Sequence, residues 1–223
     1  LGAVRAAMTD AGPYVPSAKA AARRGLKNVA LGYLVASGDS AAYDAADAQQ
    51  RIADNMTDRL AAVAALAQSP APQREAALAR FEADFADEPL AMDKWFTLQA
   101  TMHRQPDDPP VLERVGRLMS HPAFSLRNPN KVRSLVSAFC TGNLAEFHSA
   151  DGAGYRFWAA QVLALDATNP QVAARLARAL DRWRKFAPQR QALMQAALAE
   201  VRDRARSADV IEVVDKALVA AAG

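Results

Sequence analysis

The sequence predicts an all-α fold, and three of its properties support that prediction. Apolar residues recur at helical spacing in one segment after another, and no segment shows the alternation of a half-buried strand. Hydrophobic residues make up 51% of the 223 residues while aromatic residues make up only 7%, an alanine-rich balance that favours closely packed helices over a sandwich of β-branched strands. Proline and glycine fall between the apolar segments, where they end helices.

Four segments have the clearest amphipathic pattern, with apolar residues at positions i, i+3, i+4 and i+7. In chain order these stripes are Leu26, Val29, Ala30 and Tyr33; Leu60, Val63, Ala64 and Ala67; Val132, Leu135, Val136 and Phe139; and Val210, Val213, Val214 and Ala217. Looser stripes lie within residues 78–85, 95–102, 112–119 and 172–183. We expect each stripe to face the core.

Asparagine marks the start of several of these helices. Asn128 and Asn169 each stand directly before a proline, which places a capping side chain ahead of the first helical position, where a missing N–H group costs nothing. Asn55 with Asp58 resembles a capping box in which aspartate replaces the usual glutamate. Helices are therefore predicted to begin after these three asparagines.

Short helices joined by short turns predict an α-solenoid of about a dozen antiparallel helices. No strict sequence period of the tetratricopeptide or ankyrin kind is present, so the expected repeat is closer to armadillo or HEAT helix pairs. A compact orthogonal bundle is the alternative architecture. Residues 1–223 are expected to form a single helical domain.

Charge and cysteine content exclude several classes of protein. The formal net charge is only +3, with acidic and basic residues interspersed, so nucleic-acid binding is not expected. The single cysteine, Cys140, rules out an internal disulfide framework and favours a reducing, cytoplasmic location. No segment approaches the roughly 18 apolar residues that span a bilayer. The chain starts at Leu1 within an apparent helix, so it is expected to be a truncated fragment of a longer polypeptide.

The sequence contains no complete catalytic or metal-binding motif. A zinc hydrolase needs two histidines four residues apart on one helix, and the histidines here are isolated: His103, His121 and His148. Cys140 with His148 invites a thiol-nucleophile interpretation, and Ser149 and Asp151 supply the residue types of a triad. We favour a buried structural cysteine and an ordinary turn. No catalytic residue, metal ligand or cofactor is predicted in this chain.

Two further features are also interpreted as structural. The glycines of Gly152-Ala153-Gly154 precede a helix, but no strand comes before them, so a turn is favoured over a phosphate-binding loop. A basic cluster surrounds Trp183: Arg178, Arg182, Arg184 and Lys185. A solvated face beside a core tryptophan is favoured over a site for an acidic partner.

Four strings of residues point to a family. They are residues 92–96 (MDKWF), 128–135 (NPNKVRSL), 147–155 (FHSADGAGY) and 169–175 (NPQVAAR), and the shorter string 55–58 (NMTD) accompanies them. In order and spacing they resemble the C-terminal domain of the bacterial aminopeptidase N family, zinc-dependent peptidases of the gluzincin type. The resemblance extends from about Arg23 to the C-terminus.

The resemblance implies an enzyme that removes N-terminal residues from peptides with a zinc-activated water and a glutamate base. Both belong to an upstream catalytic domain, so zinc is expected there and this chain alone is expected to be inactive. The C-terminal domain would close over the catalytic domain and form a chamber that admits peptides. The implied partners are that catalytic domain and peptide substrates. Two alternatives stay open: a free-standing solenoid scaffold for protein partners, and an enzyme with an unrecognised site.

Three residues are predicted to face the substrate chamber: Gln171, Arg175 and Arg133. Gln171 and Arg175 are four residues apart and therefore share one helical face, beside the apolar stripe that holds the helix in the core. The positive end of the helix dipole, next to the guanidinium group of Arg175, would favour a peptide carboxylate. The resemblance implies the same positions, with Arg133 on another helix. A solvated face continuing through Arg178 is the competing interpretation.

Overall fold

The structure, a computed structural model, describes residues 1–10 and 12–219 and contains only helices, turns and loops within those ranges, which confirms the all-α prediction. The α-helices are α1 (Gly2–Met8), α2 (Ala18–Ala36), α3 (Ser40–Ile52), α4 (Met56–Ala67), α5 (Arg74–Phe85), α6 (Pro89–Ala100), α7 (Val111–Leu118), α8 (Pro129–Val132), α9 (Ala138–Gly142), α10 (Leu144–Phe147), α11 (Ala153–Asp166), α12 (Pro170–Ala177), α13 (Pro188–Arg204) and α14 (Ala208–Val219). A π-helical segment, Arg133–Ser137, joins α8 to α9, and two 3-10 turns, Arg178–Leu180 and Trp183–Lys185, follow α12.

The chain forms two compact units. The first contains Leu1–Leu98 and Met102–Asp108, and the second contains Gln99–Thr101 and Pro109–Gly223. No helix in the described part of the chain is long and apolar enough to cross a membrane. That the whole chain is one domain stays a prediction.

The core of the first unit is built from α2 to α6. α4 packs against α2, α3 and α5, and alanines at these contacts, among them Ala46 and Ala62, allow the helices to approach closely. Leu31 and Leu66 fill the space between them. Trp95 is buried, as its place in an apolar stripe predicted, and its indole N–H donates to the carbonyl oxygen of Leu78 at 2.9 Å.

The predicted apolar stripe of α2 is wrong. Of its four residues only Ala30 is buried, whereas Leu26, Val29 and Tyr33 are 47%, 55% and 65% exposed. The face of α2 that is buried instead includes two basic residues. Its members are Arg24, Lys27, Ala30, Leu31 and Val35. A prediction from hydrophobic periodicity places basic residues on the solvent side of a helix. Here Asp58 pairs with Lys27 and makes burial of that side of α2 favourable.

The second unit agrees better with the sequence pattern. Val132, Leu135, Val136 and Phe139 are all buried as predicted, although the backbone between them is π-helical. Two tryptophans tie helices together through their indole N–H groups: Trp158 of α11 donates to Leu176 of α12, and Trp183 donates to Ala217 of α14, at 2.9 and 3.0 Å. These bonds fix how α12 and α14 are rotated about their axes.

The predicted caps and glycine turn are also present. The side chain of Asn55 accepts from the backbone N–H of Asp58, that of Asn128 from Asn130, and that of Asn169 from Val172. The start of α11 requires two glycines, Gly152 just before the helix and Gly154 in its first turn. Gly152 has a φ angle of +69°, and a Cβ atom on Gly154 would lie 2.1 Å from the carbonyl oxygen of Phe147.

The corrected orientation of α2 predicts opposite outcomes for two substitutions on that helix. Leu31→Ala removes a fully buried side chain and is expected to lower the free energy of unfolding by about 2 to 5 kcal/mol. Tyr33→Ser alters an exposed side chain of similar helix propensity, so a change within about 0.5 kcal/mol is expected. Urea unfolding monitored by circular dichroism measures both. An equal loss of unfolding free energy in the two variants would contradict this orientation and support the apolar stripe predicted from the sequence.

Candidate functional site

The predicted site residues on α12 lie on its exposed face. Ala173, Leu176 and Ala177 form the buried face, and α12 packs against α11 and α14. Because the Asn169 cap fixes the start of the helix and the bond from Trp158 fixes its rotation, Gln171 and Arg175 are directed outward.

Gln171 and Arg175 are available to a ligand. Within the described ranges neither side chain forms a hydrogen bond or an ion pair, and the two lie one turn apart. An amide and a guanidinium group in this arrangement can bind a carboxylate or a peptide carbonyl group. The predicted contribution of the helix dipole is wrong for Arg175, since α12 ends at Ala177 and places this residue in its last turn, at the negative end of the dipole.

Arg133 is exposed at the start of the π-helical segment, between the buried residues Lys131 and Ser134. Such a segment widens one helical turn and occurs often at functional sites. No hydrogen bond or ion pair between described residues joins Arg133 to Gln171 or Arg175. A common site for the three residues stays a prediction.

The residues with catalytic side chains are used structurally. Cys140 is buried, and burial raises the pKa of its thiol, which disfavours the thiolate that a nucleophile needs. The hydroxyl of Ser149 donates to Asp151 at 2.6 Å, whereas His148 Nδ1 lies 2.9 Å from the hydroxyl of Tyr155. Ser149, His148 and Asp151 therefore do not form the relay of a triad. Residues 1–10 and 12–219 contain no group of three His, Cys, Asp or Glu side chains placed to bind a metal.

His148 is part of a packed connection to α13. Its backbone carbonyl accepts from Arg190 Nε at 2.8 Å, and the ring of Phe186 lies 4.3 Å from its imidazole ring. Burial lowers the pKa of His148, and the Arg190 guanidinium lowers it further, so the neutral imidazole is favoured. The contacts of His148 with Arg190, Phe186 and Tyr155 therefore give it a structural role in packing this segment against α13.

The basic cluster around Trp183 is partly structural, as the sequence predicted. The guanidinium group of Arg184 lies 4.2 Å from the centre of the Trp183 ring and donates to the carbonyl oxygen of Ala217 at 2.6 Å. Arg184 therefore caps the end of α14 beside a buried tryptophan. Arg178 and Arg182 are exposed, in agreement with a solvated face.

A buried polar centre in the first unit was not predicted. The carboxylate of Asp58, only 6% exposed, accepts from Lys27 Nζ at 2.6 Å and from Asn28 Nδ2 at 2.8 Å. Gln49 Nε2 donates both to Asn28 and to the backbone carbonyl of Asp58. The sequence contains one signal for this centre, the NMTD string at 55–58, which predicts a helix cap and contributes to the family resemblance but does not indicate a buried ion pair. In the structure Asn55 caps the helix, and the Asp58 carboxylate accepts both from Lys27 and from the side-chain amide of Asn55.

Electrostatics make the Asp58 centre sensitive to acid. Burial acts to raise the pKa of Asp58, but hydrogen bonds from Lys27, Asn28 and Asn55 outweigh it and hold the pKa below its ordinary value. The ion pair with Lys27 is therefore present at neutral pH and stabilises the packing of α2 on α4.

Comparison with known proteins gives a consistent picture. A family model described as "Domain of unknown function (DUF3458_C) ARM repeats" matches residues 1–219. Aminopeptidase N of Haemophilus influenzae is 46% identical over 167 residues, which are 74% of this chain and 19% of that protein. Aminopeptidase N of Escherichia coli is 39% identical over 199 residues, 88% of this chain and 22% of that protein. Aminopeptidase N of Caulobacter vibrioides is 38% identical over 208 residues, which are 93% of this chain and 24% of that protein.

A solved structure is similar as well. The crystal structure of Legionella pneumophila aminopeptidase A in complex with aspartic acid aligns with a TM-score of 0.87 and 31% identity, over 97% of this chain and 26% of that one. These findings confirm the resemblance seen in the sequence strings, and the ARM repeats of the family confirm the armadillo-like fold class over the orthogonal bundle. The chain spans less than a quarter of the length of each of the three curated relatives.

The Asp58 centre generates a prediction about stability and pH. Asp58→Asn leaves the ammonium group of Lys27 buried without its carboxylate, so a loss of about 3 to 5 kcal/mol in the free energy of unfolding is expected at neutral pH. Because the pKa of Asp58 is lower in the folded state, the ion pair contributes fully above the unfolded pKa, about 3.9, and the contribution disappears as the pH falls through the folded pKa. The variant should therefore lose less stability than the parent chain on acidification.

Urea unfolding at neutral pH and through the acidic range measures both effects. Glu212→Gln, in an exposed pair with Lys216, is the matched control and is expected to leave stability essentially unchanged at neutral pH. Equal acid sensitivity of the Asp58→Asn variant and the parent chain would contradict the role given to Asp58.

Proposed function

The chain belongs to the DUF3458_C family of ARM-repeat domains, and from that premise we propose that it is the C-terminal domain of a zinc-dependent aminopeptidase that removes N-terminal residues from peptides. The supporting observation is that the aminopeptidase relatives match most of this chain, while the chain spans less than a quarter of each of them. The remaining length leaves room for a separate catalytic domain in the same polypeptide.

In this proposal the chain positions peptides and does not break bonds. The described residues offer no cluster of metal ligands, so zinc and the water it activates belong to the upstream catalytic domain. The domain closes over that catalytic domain and forms one wall of a chamber for peptide substrates. The exposed face of α12 supports this role, because Gln171 and Arg175 have unfilled hydrogen-bonding groups and are held by a helix of fixed rotation. Arg133 is proposed as a third residue of the wall.

The second candidate is a free-standing ARM-repeat scaffold for protein partners. The exposed apolar residues Leu26, Val29 and Tyr33 on α2 favour it, since proteins commonly cover surfaces of this kind. The codons upstream of Leu1 distinguish the two functions, because only the aminopeptidase proposal requires a catalytic domain in the same reading frame. A cytoplasmic location and the absence of nucleic-acid and membrane partners remain predictions from composition.

The first prediction from this proposal concerns the chain alone. It is expected to retain no stoichiometric zinc after dialysis and to hydrolyse no aminoacyl anilide, because residues 1–10 and 12–219 contain no set of metal ligands. Elemental analysis and an anilide assay with and without a chelator measure this. The longer polypeptide serves as the positive control. Bound zinc together with chelator-sensitive turnover by the chain alone would refute the division of labour between the domains.

The second prediction concerns Arg175 in the longer polypeptide. Arg175→Ala removes a charge-assisted hydrogen bond to the peptide and is expected to lower kcat/KM for a tripeptide by about tenfold or more. Turnover of an uncharged aminoacyl anilide, which has no peptide carboxylate, should change little. Arg182→Ala removes an exposed arginine that lies beyond the end of α12 and is the matched control. Unchanged kinetics of the Arg175 variant on both substrates would refute its place in the chamber.

A further inference from the structure

The first unit contains a cavity that the proposed function does not use. It has a volume of about 400 Å³ and is lined by residues of α1, α2, α3 and α4 and by residues 9–10, 12–14 and 53–55. This volume is within the range of about 300 to 1,000 Å³ that is typical of small-molecule sites. Its wall combines charged side chains with apolar ones, and the hydrogen-bonding state of the charged groups indicates what it can bind.

The carboxylates of the wall are already occupied. Asp58 accepts from Lys27, Asn28 and Asn55. Asp54 accepts from the backbone N–H of Tyr14 at 2.7 Å and from Asn55 Nδ2 at 3.0 Å. The third carboxylate, of Asp10, pairs with Arg23 at 2.9 Å. A cation entering the cavity would therefore compete with existing partners for each carboxylate.

The arginines of the wall are not occupied to the same degree. Arg24 is only 5% exposed, yet among the described residues it donates only to the carbonyl oxygen of Val15, at 3.3 Å, and its Nε atom is buried without a partner. Arg5 donates to Gln49 at 3.4 Å and also has a buried Nε atom without a partner. Neither arginine forms an ion pair with a described carboxylate. A guanidinium group has five N–H donors, so the cavity contains an excess of buried donors.

The rest of the wall fixes the geometry and supplies apolar surface. The guanidinium group of Arg24 lies 4.7 Å from the centre of the Tyr14 ring, which holds its plane in place. Pro13, Ala48 and Ile52 line the same cavity. A ligand that satisfies both features has acceptor oxygens at one end and an apolar body at the other.

We propose that this cavity is a binding site for a small organic carboxylate, with Arg5 and Arg24 as the residues that bind the carboxylate group and Ile52, Ala48 and Pro13 in contact with its apolar body. A carboxylate matches the planar fork of a guanidinium group through two parallel hydrogen bonds. The bound anion would supply the acceptors that the buried Nε atoms lack. The site is independent of the role proposed for α12.

Two compounds that differ only in the recognised group test the proposal on the 223-residue chain. N-acetylleucine has the carboxylate and an apolar body, and N-acetylleucinamide has the same body without the charge. Isothermal titration calorimetry is expected to show saturable binding of the acid and none of the amide. Binding of both with equal affinity, or of neither, would overturn the proposal. Inorganic phosphate binding as tightly as the acid would overturn the assignment to an organic carboxylate.

Substitutions locate the binding. Arg24→Met is expected to weaken the affinity for N-acetylleucine by about tenfold or more, because it removes a charge-assisted contact. Lys19→Met removes one charge from an exposed position of the same helix and should leave the affinity unchanged. Ala48→Trp fills the cavity from an exposed position and keeps both arginines, so it should abolish binding while circular dichroism shows an intact fold. If Arg24→Met fails to fold, Ala48→Trp decides, and retained binding in that variant overturns the proposal.

Discussion

The buried ion pair between Lys27 and Asp58 determines how the first unit is arranged. A buried ammonium group without a carboxylate is strongly unfavourable, so the face of α2 that contains Lys27 must lie against the start of α4, where Asp58 is held by the Asn55 cap. This contact sets the rotation of α2. The same rotation buries Leu31 in the core, turns Tyr33 to the surface and brings Arg24 into the wall of the cavity.

The second unit fixes its helices in a different way. Trp158 and Trp183 each place a large apolar ring in the core and donate their indole N–H to a backbone carbonyl near the end of a neighbouring helix. The Leu176 carbonyl also accepts from a backbone N–H at the helix end, and the Ala217 carbonyl also accepts from Arg184, so each indole adds a further bond at a helix end and fixes the rotation of the helix. The outward direction of Gln171 and Arg175 follows from this packing, and no contact of their own is needed to hold the helix.

Sequence pattern predicted the parts of the fold in which local and tertiary preferences agree. The stripe through Val132 and Phe139 and the caps at Asn128 and Asn169 depend on local spacing, and the structure has them where the sequence placed them. The stripe of α2 failed because a partner 31 residues away, Asp58, makes burial of Lys27 favourable. The π-helical segment and the cavity could not be predicted from the sequence either, since neither follows from the spacing of apolar residues. For the candidate site, helical spacing gave the shared face of Gln171 and Arg175 but not the early end of α12.

The distribution of hydrogen-bonding partners separates catalysis from recognition in this chain. Acid–base or nucleophilic catalysis needs a reactive group within reach of a base, and here Cys140 is buried, while Ser149 and His148 are each engaged with other residues. Recognition needs donors or acceptors that the protein has not already filled. Arg175 has such donors on an exposed face, and Arg24 has one in a buried position. Because unfilled buried donors destabilise a fold unless a partner completes them, the buried Nε atom of Arg24 favours the binding of an acceptor group at that position.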